Sequence, residues 1–75
     1  MAVNYYYNYA IVDRESMMCV EVRTSTLDQS DASDEYEIYV TIPEYNEEYI
    51  CKFYNEADGQ FYYDIEYTQI FDPNA

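Results

Sequence analysis

Apolar and polar residues alternate with a period of two in three segments of this 75-residue chain, and this pattern limits the fold more than any other feature. The alternation runs through residues 17–24, 36–42 and 61–67. Because successive side chains of a β-strand point to opposite faces, the pattern is typical of strands with one buried face. Residues 5–12 and 49–54 are rich in aromatic and β-branched residues and are predicted as two further strands.

The segments between these strands predict the connections. Residues 13–16 are polar and short enough for a tight turn, and residues 55–60 hold the only glycine of the chain, Gly59, where a positive φ is needed. Strands one and two, and strands four and five, are therefore predicted to form hairpins. Pro43 ends the third strand, because proline cannot donate to a ladder. Residues 44–48 are compatible with the start of a short helix, although the residues after them favour a strand.

We predict a single domain over residues 1–75 with an all-β fold. The sheet is antiparallel, has four or five strands and is meander-like. Residues 25–35 are predicted as an exposed acidic loop, in which one short helical turn is an alternative. The apolar positions of the alternating strands are predicted to form the core, namely Met18, Val20, Val22, Ile38, Val40, Ile42, Phe53, Phe61 and Ile65.

The charge of the chain limits its partners. Sixteen acidic residues face three basic ones, which gives a net charge of −13. A surface this negative repels DNA, RNA and anionic lipid, so we expect neither direct nucleic-acid binding nor membrane binding. A basic protein surface is the partner that this charge favours, and self-association into a homodimer remains open.

The residues that most enzymes need are missing. The chain has no histidine and one glycine, which leaves it without the commonest acid–base catalyst and without a glycine-rich phosphate loop. Asp28, Asp31 and Asp34 recur every third residue, but this spacing does not match the oxygen positions of an EF-hand loop. We therefore expect no catalytic residues, no metal and no cofactor.

The two cysteines, Cys19 and Cys51, are predicted to be free thiols that pack as small hydrophobic residues. The first residues do not resemble a secretory leader, and no apolar run approaches the ~20 residues of a membrane span. Both observations favour a reducing, intracellular site. A Cys19–Cys51 disulfide is the alternative.

Twelve tyrosines in so short a chain exceed what one small core accommodates. Tyrosine is enriched at protein interfaces, so the excess predicts a contact surface beside carboxylates. Alternate strand residues lie ~6.6 Å apart, a spacing of the same order as that of successive phosphates on one DNA strand. Rows such as Glu35/Glu37 and Asp64/Glu66 are therefore compatible with a DNA mimic, and a solvated outer face is the alternative for each row. The total charge, rather than any single row, favours the mimic. The predicted partner-binding residues are Asp28, Asp31, Asp34, Glu35, Glu37, Tyr39, Glu47, Glu48, Tyr62, Tyr63, Asp64 and Glu66.

Five segments resemble small acidic proteins of tailed bacteriophages. These are YYNYAIVD at residues 6–13, MCVEV at 18–22, IPEY at 42–45, YICKFYN at 49–55 and GQFYYD at 59–64. The resemblance implies a phage origin and a place in the cytoplasm of an infected bacterial host, or in the virion. It brings no site residue with it.

Two functions follow as expectations. The first is a non-enzymatic inhibitor of a host defence protein, of the anti-CRISPR or anti-restriction type, that occupies a basic nucleic-acid-binding surface as a DNA mimic. The alternative is a structural accessory of a phage tail or baseplate. A protein that binds a small nucleotide between subunits is a third possibility, which the scarcity of Lys and Arg disfavours.

Overall fold

The structure, a computed structural model, describes residues 6–29 and 31–73. Within these ranges the elements are, in chain order, β1 (Tyr7–Asp13), β2 (Met18–Ser25), β3 (Glu37–Ile42), a 3-10 helix (Glu47–Tyr49), β4 (Phe53–Asn55) and β5 (Gln60–Tyr62). Every strand pair is antiparallel. The predicted all-β fold with a five-stranded sheet is thus confirmed. The position of Tyr5, at the start of the first predicted strand, lies outside the described residues.

The five strands form one sheet in the order β3-β1-β2-β4-β5. Both predicted hairpins, β1–β2 and β4–β5, are present. The order departs from a simple meander in one place, because β3 pairs with β1 rather than with β2. This makes β1 a central strand, and its consecutive residues Tyr9, Ala10, Ile11 and Val12 are all buried. Side chains on both faces of this strand are therefore buried.

Two long connections cross the sheet and cover its two faces. Residues 26–36 run from the end of β2 to the start of β3, and the Tyr9 hydroxyl group binds them by donating to Asp28 at 3.1 Å and accepting from the Gln29 N–H at 2.6 Å. Residues 43–52 return from β3 to β4, and they place Tyr49 against the opposite face. The predicted loop over residues 25–35 begins one residue later than expected, because Ser25 ends β2, and its described part contains no helix.

The main core lies on the face that carries Ala10 and Val12. Its aromatic part consists of Tyr49, Phe61 and Phe71, with the Tyr49 ring in edge contact with the other two rings at centroid distances of 4.9 and 5.1 Å. The other buried members of this core are Cys19, Val22, Ile38 and Ile42. Met18, Val40 and Phe53, which the alternation also predicted as core, are half-buried.

A bulge in β2 overturns the predicted burial of Val20. Two consecutive residues of β1 lie opposite Glu21 and Cys19, so Val20 has no partner on β1. An extra residue shifts the period-two phase of a strand by one position. As a result Cys19 and Val22 are both buried, whereas Val20 is 44% exposed.

The predicted fifth strand over residues 61–67 is too long. β5 ends at residue 62, and the chain then turns around the Asp64 carboxylate, which accepts hydrogen bonds from the Thr68 N–H, the Thr68 hydroxyl group and the Gln69 N–H. Aspartate side chains commonly compete with strand pairing in this way. The turn leaves Ile65 53% exposed, so its predicted burial is wrong.

The chain after this turn comes back along β5. Ile70 forms an isolated bridge with Tyr62, and the Phe71 N–H donates to the Phe61 carbonyl oxygen at 2.8 Å. This contact brings the Phe71 ring into the core. The C-terminal segment therefore extends the sheet beyond β5.

The fourth strand begins later than the predicted residue 49. Asn46 accepts a hydrogen bond from the Glu48 N–H and so caps the 3-10 helix, which holds Tyr49. Cys51 follows with a φ of +75° and is exposed. Both thiols are free, as predicted, but only Cys19 packs as a small hydrophobic residue.

Candidate functional site: an acidic notch around Arg14

A notch with a volume of about 320 Å³ lies at the end of the sheet where the β1–β2 turn meets the start of β3. The antiparallel register creates it by placing Asp13 of β1 opposite Glu37 of β3. We call this feature the acidic notch, and its lining residues are Asp13, Arg14, Glu15, Glu35 and Tyr36.

Arg14 joins the three chain segments that surround the acidic notch. Its backbone N–H donates to the Tyr36 carbonyl oxygen at 3.0 Å, and its guanidinium Nε donates to the Asp34 carbonyl oxygen at 2.5 Å. A guanidinium nitrogen also lies 3.9 Å from a Glu56 carboxylate oxygen, in the β4–β5 loop. The only basic side chain of the notch is thus engaged within the protein.

The Asp34 carboxylate fixes the shape of the acidic notch. Its Oδ1 accepts hydrogen bonds from the N–H groups of Tyr36 and Glu37, both at 2.8 Å. These backbone hydrogen bonds lower the pKa of the Asp34 carboxyl group, because they stabilise its charged form. The carboxylate therefore orders the segment that presents Glu35 and Tyr36.

Tyr36 is the most exposed large hydrophobic residue of the described chain, at 70%. The predicted third strand includes Tyr36 on the same face as Ile38, but the predicted core does not include it. β3 begins only at Glu37, and Tyr36 lies in the bend before it. The signal that could have identified it is its position between two glutamates at the end of an acidic loop.

The notch gathers only part of the predicted partner-binding set. Glu35 lines it, with Asp34 and Glu37 beside it, and they join Asp13 and Glu15, which the sequence did not single out. The remaining predicted acidic residues lie in the crossing connection (Asp28, Asp31), the 3-10 helix (Glu47, Glu48) and the turn after β5 (Asp64, Glu66). The premise that Asp64 and Glu66 lie at alternate positions of one strand is wrong, because β5 ends at Tyr62 and this segment is a turn. The same premise is wrong for Glu35 and Glu37, because β3 begins only at Glu37.

The predicted tyrosine contacts lie apart from the acidic notch. Tyr39 is half-buried against Tyr9 and accepts a hydrogen bond from Arg23 at 3.0 Å. Tyr62 is half-buried and donates to Asp58. Tyr63 is exposed, with the Lys52 ammonium group over its ring. The side chains of Tyr39 and Tyr62 are therefore already engaged by neighbouring side chains of the protein.

All three basic residues of the chain bind within the protein. Beside Arg14, the Arg23 guanidinium lies 2.8 Å from the Glu21 carboxylate, and the Lys52 ammonium donates to the Glu48 carbonyl oxygen at 2.9 Å. Since sixteen carboxylates share these three cations, most of the negative charge is left without an internal basic partner.

Two acidic side chains of the described residues have a carboxyl pKa that departs from its usual value. The carboxyl pKa values that shift, those of Asp34 and Asp64, are both lowered by hydrogen bonds to the charged form, whereas a general acid needs a raised pKa. In residues 6–29 and 31–73 no group of three or more acidic or cysteine side chains is placed to hold a metal ion. In the same ranges no helix has the length and apolar character to cross a membrane.

Comparison of the chain with family models, with curated proteins and with solved structures gave no match.

Proposed function

We propose that this protein is a non-enzymatic binding protein whose acidic notch docks on a basic surface of another protein. The observation that carries the proposal is an exposed aromatic side chain, Tyr36, within a rim of carboxylates that Asp34 and Arg14 hold in place. Binding energy at interfaces concentrates in a few aromatic or arginine residues, and charges around them guide association. Tyr36 supplies the aromatic residue, and the charges that guide association come from Asp13, Glu15 and Glu35.

The basic surface belongs, in this proposal, to a protein that otherwise binds nucleic acid. A net charge of −13 on 75 residues gives the chain a strong negative field, which competes with a phosphate backbone for the same cations. The resemblance to phage proteins agrees with a host protein as the target and with inhibition as the effect. This mimicry is supported by the total charge and by the acidic notch. It is not supported by a row of carboxylates at Asp64 and Glu66, because these residues lie in a turn.

Affinity capture with a matched pair of variants tests the proposal. The notch variant carries Glu15→Gln, Glu35→Gln and Tyr36→Ala. The control carries Glu47→Gln, Glu48→Gln and Tyr45→Ala. Each removes two exposed glutamates and one exposed tyrosine, so the changes in charge and composition are equal.

Immobilised wild type and control are expected to retain the same bacterial protein, and the notch variant is expected to lose it. Added duplex DNA should release the captured protein, because both compete for one basic surface. Equal capture by wild type and the notch variant, or retention in the presence of excess DNA, would contradict the proposed function.

A further inference from the structure

A second concave site lies at the other end of β3, between the end of that strand and the C-terminal segment. This cleft has a volume of about 420 Å³. Its floor consists of buried side chains, those of Ile42, Tyr49, Phe61 and Phe71. One wall is formed by residues 40–43 at the end of β3, and the other by residues 59–60 and 70–73.

The wall at β3 offers main-chain groups to an additional strand. β3 is the edge strand of the sheet, and it pairs with β1 on one side only. The Tyr39 N–H points away from β1, since it binds the Ser33 hydroxyl group at 2.8 Å. Backbone groups alternate in direction along a strand, so those of Thr41, two residues later, also point outward, into the cleft. The edge of β3 is thus covered by the preceding loop at Tyr39 and open to the cleft at Thr41.

The opposite wall has the same property. The bridge between Tyr62 and Ile70 is flanked by hydrogen bonds from the Tyr63 N–H to the Gln69 carbonyl oxygen and from the Phe71 N–H to the Phe61 carbonyl oxygen. In this pattern the N–H and C=O of Ile70 point away from β5. Two outward-facing backbone edges therefore border one apolar floor, which is the geometry that accepts an extended peptide.

Charge at the cleft decides between possible occupants. Asp72 lines it, and Glu44 follows the lining residue Pro43. Burial and these two carboxylates raise the pKa of the Tyr49 hydroxyl group, which agrees with their position beside the floor. No basic residue lines the cleft in the described part of the chain. A second copy of the chain would bring another −13 charges, so charge complementarity favours a cationic occupant.

We propose that the cleft binds an extended basic segment of a partner protein as an added β-strand alongside Thr41. In this arrangement an apolar side chain of the segment packs on Tyr49, Phe61 and Phe71, and adjacent lysines or arginines lie near Glu44 and Asp72. The main-chain hydrogen bonds provide affinity, and the floor and rim provide selectivity. The site is separate from the acidic notch and does not depend on it.

The test uses a dodecapeptide of alternating lysine and valine as the probe, with binding measured by calorimetry and by amide chemical shifts. Two peptides of equal length serve as controls. One is N-methylated at alternate residues, on the edge that would pair, and the other replaces every lysine with glutamate. The N-methylated peptide keeps the charge but cannot donate from that edge, so it measures attraction without strand pairing.

Thr41→Pro removes the outward N–H of β3, and Thr24→Pro is its matched control. Thr24 is an exposed threonine of β2 whose backbone also points away from β1 and which lies outside the cleft. Circular dichroism checks that both variants remain folded. We expect wild type and Thr24→Pro to bind the probe alike, and Thr41→Pro to bind it at least about tenfold more weakly, since a lost hydrogen bond and the clash of the ring act together.

Three results would overturn the proposal. They are equal affinity of wild type and Thr41→Pro for the probe, equal affinity of wild type for the probe and for the N-methylated peptide, and a lack of any binding of the probe to wild type. A dimer of the wild-type chain that Thr41→Pro dissociates in sedimentation would show that a second copy occupies the cleft instead. The variant with Glu15→Gln, Glu35→Gln and Tyr36→Ala should still bind the probe. Failure of the notch proposal is thus distinguishable from failure of this one.

Discussion

Replacement of Phe71 by alanine is expected to remove about half of the stability of the fold. The Phe71 side chain is only 4% exposed, and its ring contacts those of Tyr49 and Tyr63 at centroid distances of 5.1 and 5.7 Å. Loss of a buried phenylalanine side chain costs about 3–5 kcal/mol. At about 0.05–0.15 kcal/mol per residue, the whole domain has a free energy of unfolding of about 4–11 kcal/mol.

The assay is urea denaturation at constant ionic strength, monitored by far-UV circular dichroism. With a slope of about 1 kcal/mol/M for a domain of this size, the midpoint should fall by about 3 M or more, or the variant should be unfolded without urea. Phe71→Leu keeps an apolar side chain in the core, so it should cost less than Phe71→Ala, about 1–1.5 kcal/mol.

Ile70→Ala is the control, because this neighbouring residue is 54% exposed and should cost about 0.5 kcal/mol or less. If Phe71→Ala were no more destabilising than Ile70→Ala, the C-terminal segment would not belong to the core. The reasoning that builds the cleft from that segment would then fail as well.

Three further outcomes are expected. Val22→Ala should lower the urea midpoint clearly, whereas Val20→Ala should leave it nearly unchanged, because the bulge exposes only Val20. In the native protein one thiol should react rapidly with an aromatic disulfide reagent and Cys51→Ser should abolish this reaction, because burial raises the pKa of the Cys19 thiol. Hydrogen bonds lower the pKa of the Asp64 carboxyl group in the folded state. Wild type should therefore have a higher free energy of unfolding than Asp64→Asn at any pH above the unfolded pKa of about 4, and this difference should disappear as the pH falls through the folded pKa.

The period-two pattern predicted where strands occur better than it predicted which of their residues face the core. Residues 17–24 read as one regular strand because Val20 and Val22 are both apolar, and nothing in the composition marks the bulge between them. The bulge is a property of the pairing with β1, since Glu21 and Cys19 face consecutive residues of that strand. A single strand's sequence does not contain this information.

The fifth strand ends earlier than predicted for a local reason that is visible in the sequence. Asp64 and Thr68 are four residues apart, and the carboxylate binds both the N–H and the hydroxyl group of Thr68. Turn-forming aspartates of this kind outweigh hydrophobic alternation when no neighbouring strand is available. Tyr63 and Ile65 accordingly remain exposed, although they alternate as core residues would.

The sequence predicted several acidic residues of the candidate site but not the tyrosine that lies between them. The sequence predicts Asp34, Glu35 and Glu37 as partner-binding residues, but it predicts Tyr36 between them neither as a binding residue nor as a core residue. Asp13 and Glu15 join them only because β1 and β3 are neighbours, and that pairing spans about the first half of the chain. Long-range strand pairing is the step that alternation alone does not determine.

The central position of β1 sets the order in which the sheet can form. The β1–β2 hairpin closes over a turn of four residues, whereas Ile11 and Tyr39 are 28 positions apart, so closure of the second pair costs roughly 2 kcal/mol more in chain entropy. Any chain in which β3 has not yet docked leaves the backbone groups on one edge of β1 unpaired, and folding chains aggregate through edges of this kind. At a net charge of −13, two such chains repel each other before their edges meet. The acidity of the chain is thus expected to oppose aggregation of molecules whose sheet is only partly formed.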